Sequence, residues 1–148
     1  MKFRDQEHKQ FYRHSFEAPE SVNDGNHRGL FYMLGLFPET RRNISDLYDY
    51  DRGAILPGGL TQPWHTDSSA RATRLAFNLF NGFNGFSGER QIEPASQYTP
   101  DKLFDTTLFQ YYLEACRLRY GYLWYSEREP SDDEFEDFNI SLDSLNFD

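Results

Sequence analysis

Residues 64–86, WHTDSSARATRLAFNLFNGFNGF, carry the start, the apolar face and the end of one amphipathic helix. Thr66, Asp67 and Ser68 have side-chain oxygens that can accept hydrogen bonds from the free N–H groups at a helix start. Gly82 offers the left-handed backbone conformation that ends many helices. Apolar side chains recur with a period near 3.6 residues at Ala72, Leu75, Ala76, Leu79 and Phe83.

The remaining chain predicts a mainly α, single small domain of four to five helices around that central helix, at about residues 67–82. Other apolar periodicities or start signals predict helices at 5–17, 26–36 and 107–120, with shorter ones opened by Pro38 and Pro100. In the last long helix we expect an inner face formed by Phe109, Tyr112, Leu113, Cys116 and Tyr120, with Arg117 and Arg119 projecting from its end.

The predicted loops are long. Residues 48–63 contain three glycines and two prolines, which predicts an irregular segment pinned to the core by its apolar side chains. The glycines of residues 82–88 predict a turn-rich loop and not a phosphate-binding loop, because the segment lacks the lysine of that motif and follows a helix. One short strand is expected near residues 91–92.

Composition excludes several protein classes. The 148 residues suit one domain, and aromatic residues make up 18% of them, which predicts a core filled by large rings. The sequence has no apolar run near 18 residues, so we expect no membrane span. The charged N-terminus lacks the apolar segment of a signal peptide, and the single cysteine fits a reducing compartment, so we expect a cytoplasmic protein.

Charge is concentrated at one end of the chain. Residues 1–125 hold 15 acidic and 14 basic side chains, whereas residues 126–148 hold nine acidic side chains and only Arg128 as a base. We therefore divide the chain into a helical domain at 1–125 and an acidic C-terminal extension at 126–148. A chain with this balance is not expected to bind nucleic acid directly, because phosphate binding needs clustered Lys and Arg.

The extension interleaves acids with apolar residues. Ser131 and Glu134 have the spacing of a capping box, which predicts a short acidic helix that runs to Phe138. Beyond it, Phe138, Ile140 and Leu142 alternate with polar residues as in a strand. Segments of this composition typically become ordered when they bind a partner.

No catalytic or metal motif stands out. The four histidines lack metal-ligand spacing, so neither a metal site nor a cofactor is expected. His65, Asp67 and Ser68 are close in sequence, but catalytic triads assemble from distant segments, and helix capping accounts for Ser68. One enzyme-like constellation is worth testing: Tyr48, Asp49, Tyr50, Asp51 and Arg52 could line a pocket with Trp64 and His65.

Three separated blocks resemble an uncharacterised family whose activity is not established. They are LFYMLGLFPETRRNISDLYD, GLTQPWHTDSSARATRLAFNLFNGF, and YTPDKLFD with YYLEACRLRYGY, all within residues 30–122. The resemblance implies a small cytoplasmic protein from low-GC Gram-positive bacteria or their phages and mobile elements. It assigns no catalytic residue, and the acidic extension looks like an addition to the shared pattern.

The leading hypothesis is therefore a phage or mobile-element protein that binds and inhibits a host defence protein, as anti-CRISPR proteins do. The extension would mimic nucleic acid on a basic, nucleic-acid-binding surface such as that of a CRISPR nuclease. The expected contact residues are Glu127, Glu129, Asp132, Asp133, Glu134, Phe135, Glu136, Asp137 and Phe138. Two alternatives are a small enzyme with its site in the loop between Tyr48 and Asp67, and a scaffold protein whose extension folds back onto Arg117 and Arg119.

Overall fold

The computed structural model describes residues 1–126, apart from the side chains of residues 122 and 124–126. Within them the fold is mainly α, as predicted, with six α-helices and two short β-hairpins. The helices are α1 (Gln6–His14), α2 (Gly25–Leu34), α3 (Pro38–Arg42), α4 (Asp67–Asn81), α5 (Pro100–Leu103) and α6 (Phe109–Ser126). The antiparallel strand pairs are β1 (Tyr48–Asp49) with β2 (Ala54–Ile55), and β3 (Phe86–Ser87) with β4 (Arg90–Gln91).

Helix α4 has the start, face and end that its sequence predicts. Thr66 is the N-cap: its side chain accepts from the Ser69 N–H, and the Ser69 hydroxyl accepts in return from the Thr66 N–H. Gly82 ends the helix with a φ of 79°, in the left-handed region. The helix packs against α2, α3, α5 and α6, so it is central, and its five predicted face residues are all buried.

Helix α2 is the most deeply enclosed element, because it packs against both α4 and α6. Every residue from position 29 to position 34 is buried. Two glycines make the close approach to α6 possible. A β-carbon on Gly25 would stand 2.6 Å from the Arg119 carbonyl oxygen, and one on Gly29 would stand 3.3 Å from the Arg119 β-carbon.

The predicted inner face of α6 is wrong in part. The buried side chains are Tyr111, Tyr112, Glu114, Ala115 and Leu118, whereas Phe109 and Tyr120 are exposed. The helix also continues to Ser126, so Arg117 and Arg119 lie in its middle and do not project from its end. The error has a physical cause: Glu114 is a buried acid that forms an ion pair with Arg117 one turn later. Because the inner face of the helix contains this charged side chain, a search for periodic apolar residues does not find it.

Two predicted loops contain more structure than expected. The segment at 48–63 forms the β1–β2 hairpin and a 3₁₀ turn (Pro57–Thr61), and the short strand expected near 91–92 is β4, paired with β3. Glu93 fastens the second loop to α4 by accepting two hydrogen bonds from Arg74, at 2.7 and 3.1 Å. The short acidic helix and the strand predicted within residues 131–142 lie outside the described residues.

Candidate functional site

A groove lies between α1, the loop at 16–24, α2 and the β1–β2 hairpin, with a volume of about 590 Å³. We call it the aromatic groove. Its apolar wall is formed by Phe11, Ala18, Val22, Phe31, Ile44, Tyr48 and Tyr50. Pockets of this size with mostly apolar walls and a few polar groups are typical of small-molecule sites.

Three rings set the shape of the groove. Phe31 and Tyr48 are buried and meet edge to face, with centroids 5.1 Å apart. Tyr50 lies parallel to Phe31 at 5.9 Å, yet 55% of its surface remains exposed. The hairpin turn places Tyr50 there, because Asp49 accepts the backbone N–H groups of Asp51 and Arg52 and so closes the turn. A ring so exposed against a buried wall leaves apolar surface open to a ligand.

The polar groups of the groove are His14, Ser15, Glu20, Ser21, His27 and Arg41. His14 is 2.8 Å from Glu17, and His27 is 2.7 Å from Asp24, which caps α2. These two histidines therefore have carboxylate partners of their own. Arg41 is half-buried and donates from Nη1 to the Gly35 carbonyl at 2.7 Å.

A second cluster surrounds the start of α4. Trp64 lies against His65, with ring centroids 3.9 Å apart and ring planes tilted by 31°, and donates from Nε1 to Asp46 at 3.0 Å. His65 Nδ1 is 2.8 Å from the hydroxyl of Ser69, which is fully buried. That hydroxyl is already part of the capping box of α4. A buried hydroxyl committed to a cap is poorly placed to attack a substrate, so this His–Ser pair is structural.

His65 also has an atom without a hydrogen bond. Its Nε2 is buried and makes none of acceptable geometry within the described residues, although the Gly59 backbone is its neighbour. Burial lowers the pKa of His65, which keeps the ring neutral. A neutral imidazole with one unpaired nitrogen costs stability but requires no ligand.

The enzyme-like constellation expected from the sequence is therefore divided. Tyr48 and Tyr50 line the aromatic groove, while Trp64 and His65 are not among its described lining residues and belong to the cluster at the start of α4. Ser68 is exposed, and the cap is made by Thr66 and Ser69 instead. Sequence reasoning assigned none of the groove's charged residues to a site, Arg41 included. The only sequence signal of Arg41 is the pair of adjacent arginines that ends α3.

The nine residues expected to bind a partner all lie outside the described residues. They are Glu127, Glu129, Asp132, Asp133, Glu134, Phe135, Glu136, Asp137 and Phe138. Helix α6 is described as far as Ser126, the residue before the first of them. The expected partner-binding segment thus follows directly on the described part of α6.

Two other kinds of site are absent from residues 1–126, the part of the chain that the structure describes. None of the helices there combines the length and the apolar character that crossing a membrane requires. In the same residues no three His, Cys, Asp or Glu side chains are grouped in a way that could hold a metal ion. Cys116 packs against the core, and burial raises the pKa of its thiol to about 11, so it is not a reactive thiolate.

Comparison with known proteins gives one match. No curated protein and no solved structure shows significant similarity to this sequence. One family model, described as a family of unknown function, matches residues 1–132. The shared pattern therefore starts before residue 30 and includes the first part of the acidic extension. Since the match covers most of the 148 residues, the chain belongs to this family of unknown function, DUF6075.

Proposed function

We propose that this protein binds a partner with a basic surface through its acidic extension. The observation that carries the proposal is the distribution of charge. The last 22 residues hold nine of the 24 acidic side chains and one base, while the rest of the chain is nearly balanced. Such a segment gains electrostatic attraction, and faster association, only toward a cationic target.

The environment of the arginines in α6 supports an extension directed toward a partner. The Arg117 guanidinium makes two hydrogen bonds to Glu114, at 3.0 and 2.6 Å. Arg119 donates from Nε to the Leu79 carbonyl in α4 at 2.7 Å. Each arginine therefore has a partner inside the domain and does not need the extension to supply one.

The environment of His65 and Ser69 disfavours the enzyme alternative. Ser69 is fully buried and serves the α4 cap, and the rings of the 48–67 loop are divided between two clusters. Replacing Asp51, His65 and Asp67 by alanine tests it directly. Loss of a catalysed reaction with the fold intact would favour an enzyme over a binding protein.

The finer form of the proposal names the partner class. The resemblance described above suggests a phage or mobile-element setting, in which a small binding protein typically acts on a host defence protein. The carboxylates from position 127 to position 137 would occupy a groove that normally holds phosphates, as on a CRISPR nuclease. Phe135 and Phe138 would be the apolar anchors, because aromatic side chains often dominate binding energy at interfaces.

The test uses purified, guide-loaded CRISPR nucleases and measures their affinity for target DNA in the presence of this protein. The full chain should compete with DNA, and the competition should weaken as salt rises. One variant carries Glu127→Gln, Glu129→Gln, Asp132→Asn, Asp133→Asn, Glu134→Gln, Glu136→Gln and Asp137→Asn and keeps both anchor rings. This variant, like deletion of residues 127–148, should lose the competition.

A matched control keeps the charges and removes the rings, through Phe135→Ala and Phe138→Ala. It should retain the salt dependence but bind at least about tenfold more weakly, as expected when interface anchors are lost. If the neutralised chain competes as well as the native one, charge mimicry is not the mechanism. If no nuclease is affected by the full chain, the finer form of the proposal is wrong.

A further inference from the structure

The aromatic groove contains a cation without a carboxylate partner. No carboxylate of residues 1–126 lies within ion-pair distance of Arg41, although three arginines and two histidines elsewhere in these residues have one. The only hydrogen bond of its guanidinium within the described residues runs from Nη1 to the Gly35 carbonyl. The edge formed by Nε and Nη2 therefore has no described acceptor.

The other charged groups of the groove do not neutralise Arg41. His14 pairs with Glu17 and His27 with Asp24. Glu20 lines the groove but is exposed, so water screens its charge. A half-buried guanidinium next to apolar surface loses hydration and gains little in return unless an anion meets it.

The apolar part of the groove is arranged to hold a flat or extended group. Phe31 and Tyr48 form a buried wall, and Tyr50 lies parallel to Phe31 with its outer face exposed. The volume of about 590 Å³ is within the range of pockets that enclose small organic molecules. The groove thus combines apolar walls with the side chain of Arg41, which one hydrogen bond ties to the Gly35 carbonyl.

We propose that the aromatic groove binds a small amphipathic carboxylate. The carboxylate would accept two hydrogen bonds from Nε and Nη2 of Arg41, in the planar, bidentate geometry that guanidinium favours. Its aromatic or aliphatic body would lie against Phe31, Tyr48 and Tyr50. This site is separate from the acidic extension, so it goes beyond the function proposed above and can be tested without a protein partner.

The experiment compares two probes of nearly equal shape, 2-naphthoate and the neutral 2-naphthamide, by isothermal titration calorimetry on the full chain. Naphthoate should bind at least about tenfold more tightly, because a charge-assisted pair contributes more than a neutral one. Arg41→Met should remove this preference. Arg42→Met is the matched control: it removes the same charge from the next residue of α3, which is exposed and does not line the groove, and should leave the preference unchanged.

Further variants distinguish the head group from the wall and the ligand from the extension. Tyr50→Ala should weaken both probes to the same extent, since it removes the ring and the hydroxyl that bonds to Ser15 but no charge. Thermal unfolding should verify that each variant folds. Equal binding of the two probes, or an Arg41→Met variant that still prefers naphthoate, would overturn the proposal. So would a Phe135→Ala, Phe138→Ala chain that binds naphthoate more than about tenfold more tightly than the native chain, because the occupant would then be the extension itself.

Discussion

Gly25, the first residue of α2, lies directly against the backbone of Arg119 in α6. A β-carbon at this position would stand 2.6 Å from the Arg119 carbonyl oxygen. Real β-carbons do not approach a carbonyl oxygen so closely, so any side chain at this position must push the two helices apart. The contact therefore fixes how near α6 lies to the most enclosed helix of the fold.

Replacing Gly25 by alanine should destabilise the protein by about 1–3 kcal/mol, the usual cost of overpacking. Gly121→Ala is the control, because a β-carbon there would meet no described atom within 4 Å. In mid-helix that change should stabilise by about 0.5–1 kcal/mol. Urea unfolding followed by circular dichroism measures both, and equal effects would show that the α2–α6 contact is looser than described.

Stability should fall as the pH is lowered from 7 to 5, because His8 is buried as a neutral ring. Its Nε2 donates to the Tyr32 carbonyl at 2.7 Å, while Nδ1 accepts from the Arg4 N–H at 3.1 Å. Burial lowers the pKa of His8 from 6.5 to about 4. In the unfolded chain His8 therefore binds a proton below pH 6.5, whereas in the folded chain it binds one only below about pH 4.

From His8 alone we expect the free energy of unfolding to fall by about 2 kcal/mol between pH 7 and pH 5. The lowered pKa of His65 acts in the same direction. The check is the free energy of unfolding at both pH values for the native chain and for His8→Gln, whose amide can still donate to the Tyr32 carbonyl. The variant should lose most of this pH dependence. An unchanged pH dependence would mean that His8 does not carry it.

The ion pair of Glu114 and Arg117 should show strong coupling. The two side chains are only 7% and 14% exposed, respectively, and their closest atoms are 2.6 Å apart. Glu114→Leu alone removes the buried carboxylate to which Arg117 donates and should cost about 3 kcal/mol. The double variant Glu114→Leu, Arg117→Met should recover at least half of that loss. A double-mutant cycle in urea measures the coupling, and strictly additive effects would contradict it.

The cap of α4 distinguishes two neighbouring serines. Ser69→Ala removes one half of the capping box and the partner of His65, and should cost about 1–2 kcal/mol. Ser68 is exposed and lies outside the cap, so Ser68→Ala should change the free energy of unfolding by no more than about 0.5 kcal/mol. Thermal unfolding of the two variants provides the comparison. If the Ser68 variant lost more stability than the Ser69 variant, the assignment of the cap to Ser69 would be wrong.

The sequence predicts well the elements whose signals are local. The cap residues and periodic apolar side chains of α4 lie within one stretch, and each acts on its own neighbours, so both ends and the buried face of that helix follow from the sequence. The class of the fold and the last long helix follow for the same reason. The family resemblance is likewise carried by contiguous blocks and is confirmed.

Sequence reasoning misses two kinds of feature: a buried ion pair within one helix, and contacts between distant segments. Glu114 is buried in an ion pair with Arg117, one turn away in the same helix. A prediction from apolar periodicity places such a charged residue on the outside. Tyr50 meets Phe31 only after the β1–β2 hairpin closes, and Arg41 reaches the same groove from α3. No residue spacing in the sequence predicts that α2, α3 and the β1–β2 hairpin meet at one groove.

The continuity of α6 has a mechanical consequence. The helix that is packed against α2 at Gly25 and Gly29 continues without a break to Ser126, where the extension begins. A pull on the described end of α6 would be carried along the helix to its contacts with α2. Both glycine contacts would resist it, so tension would reach the centre of the domain.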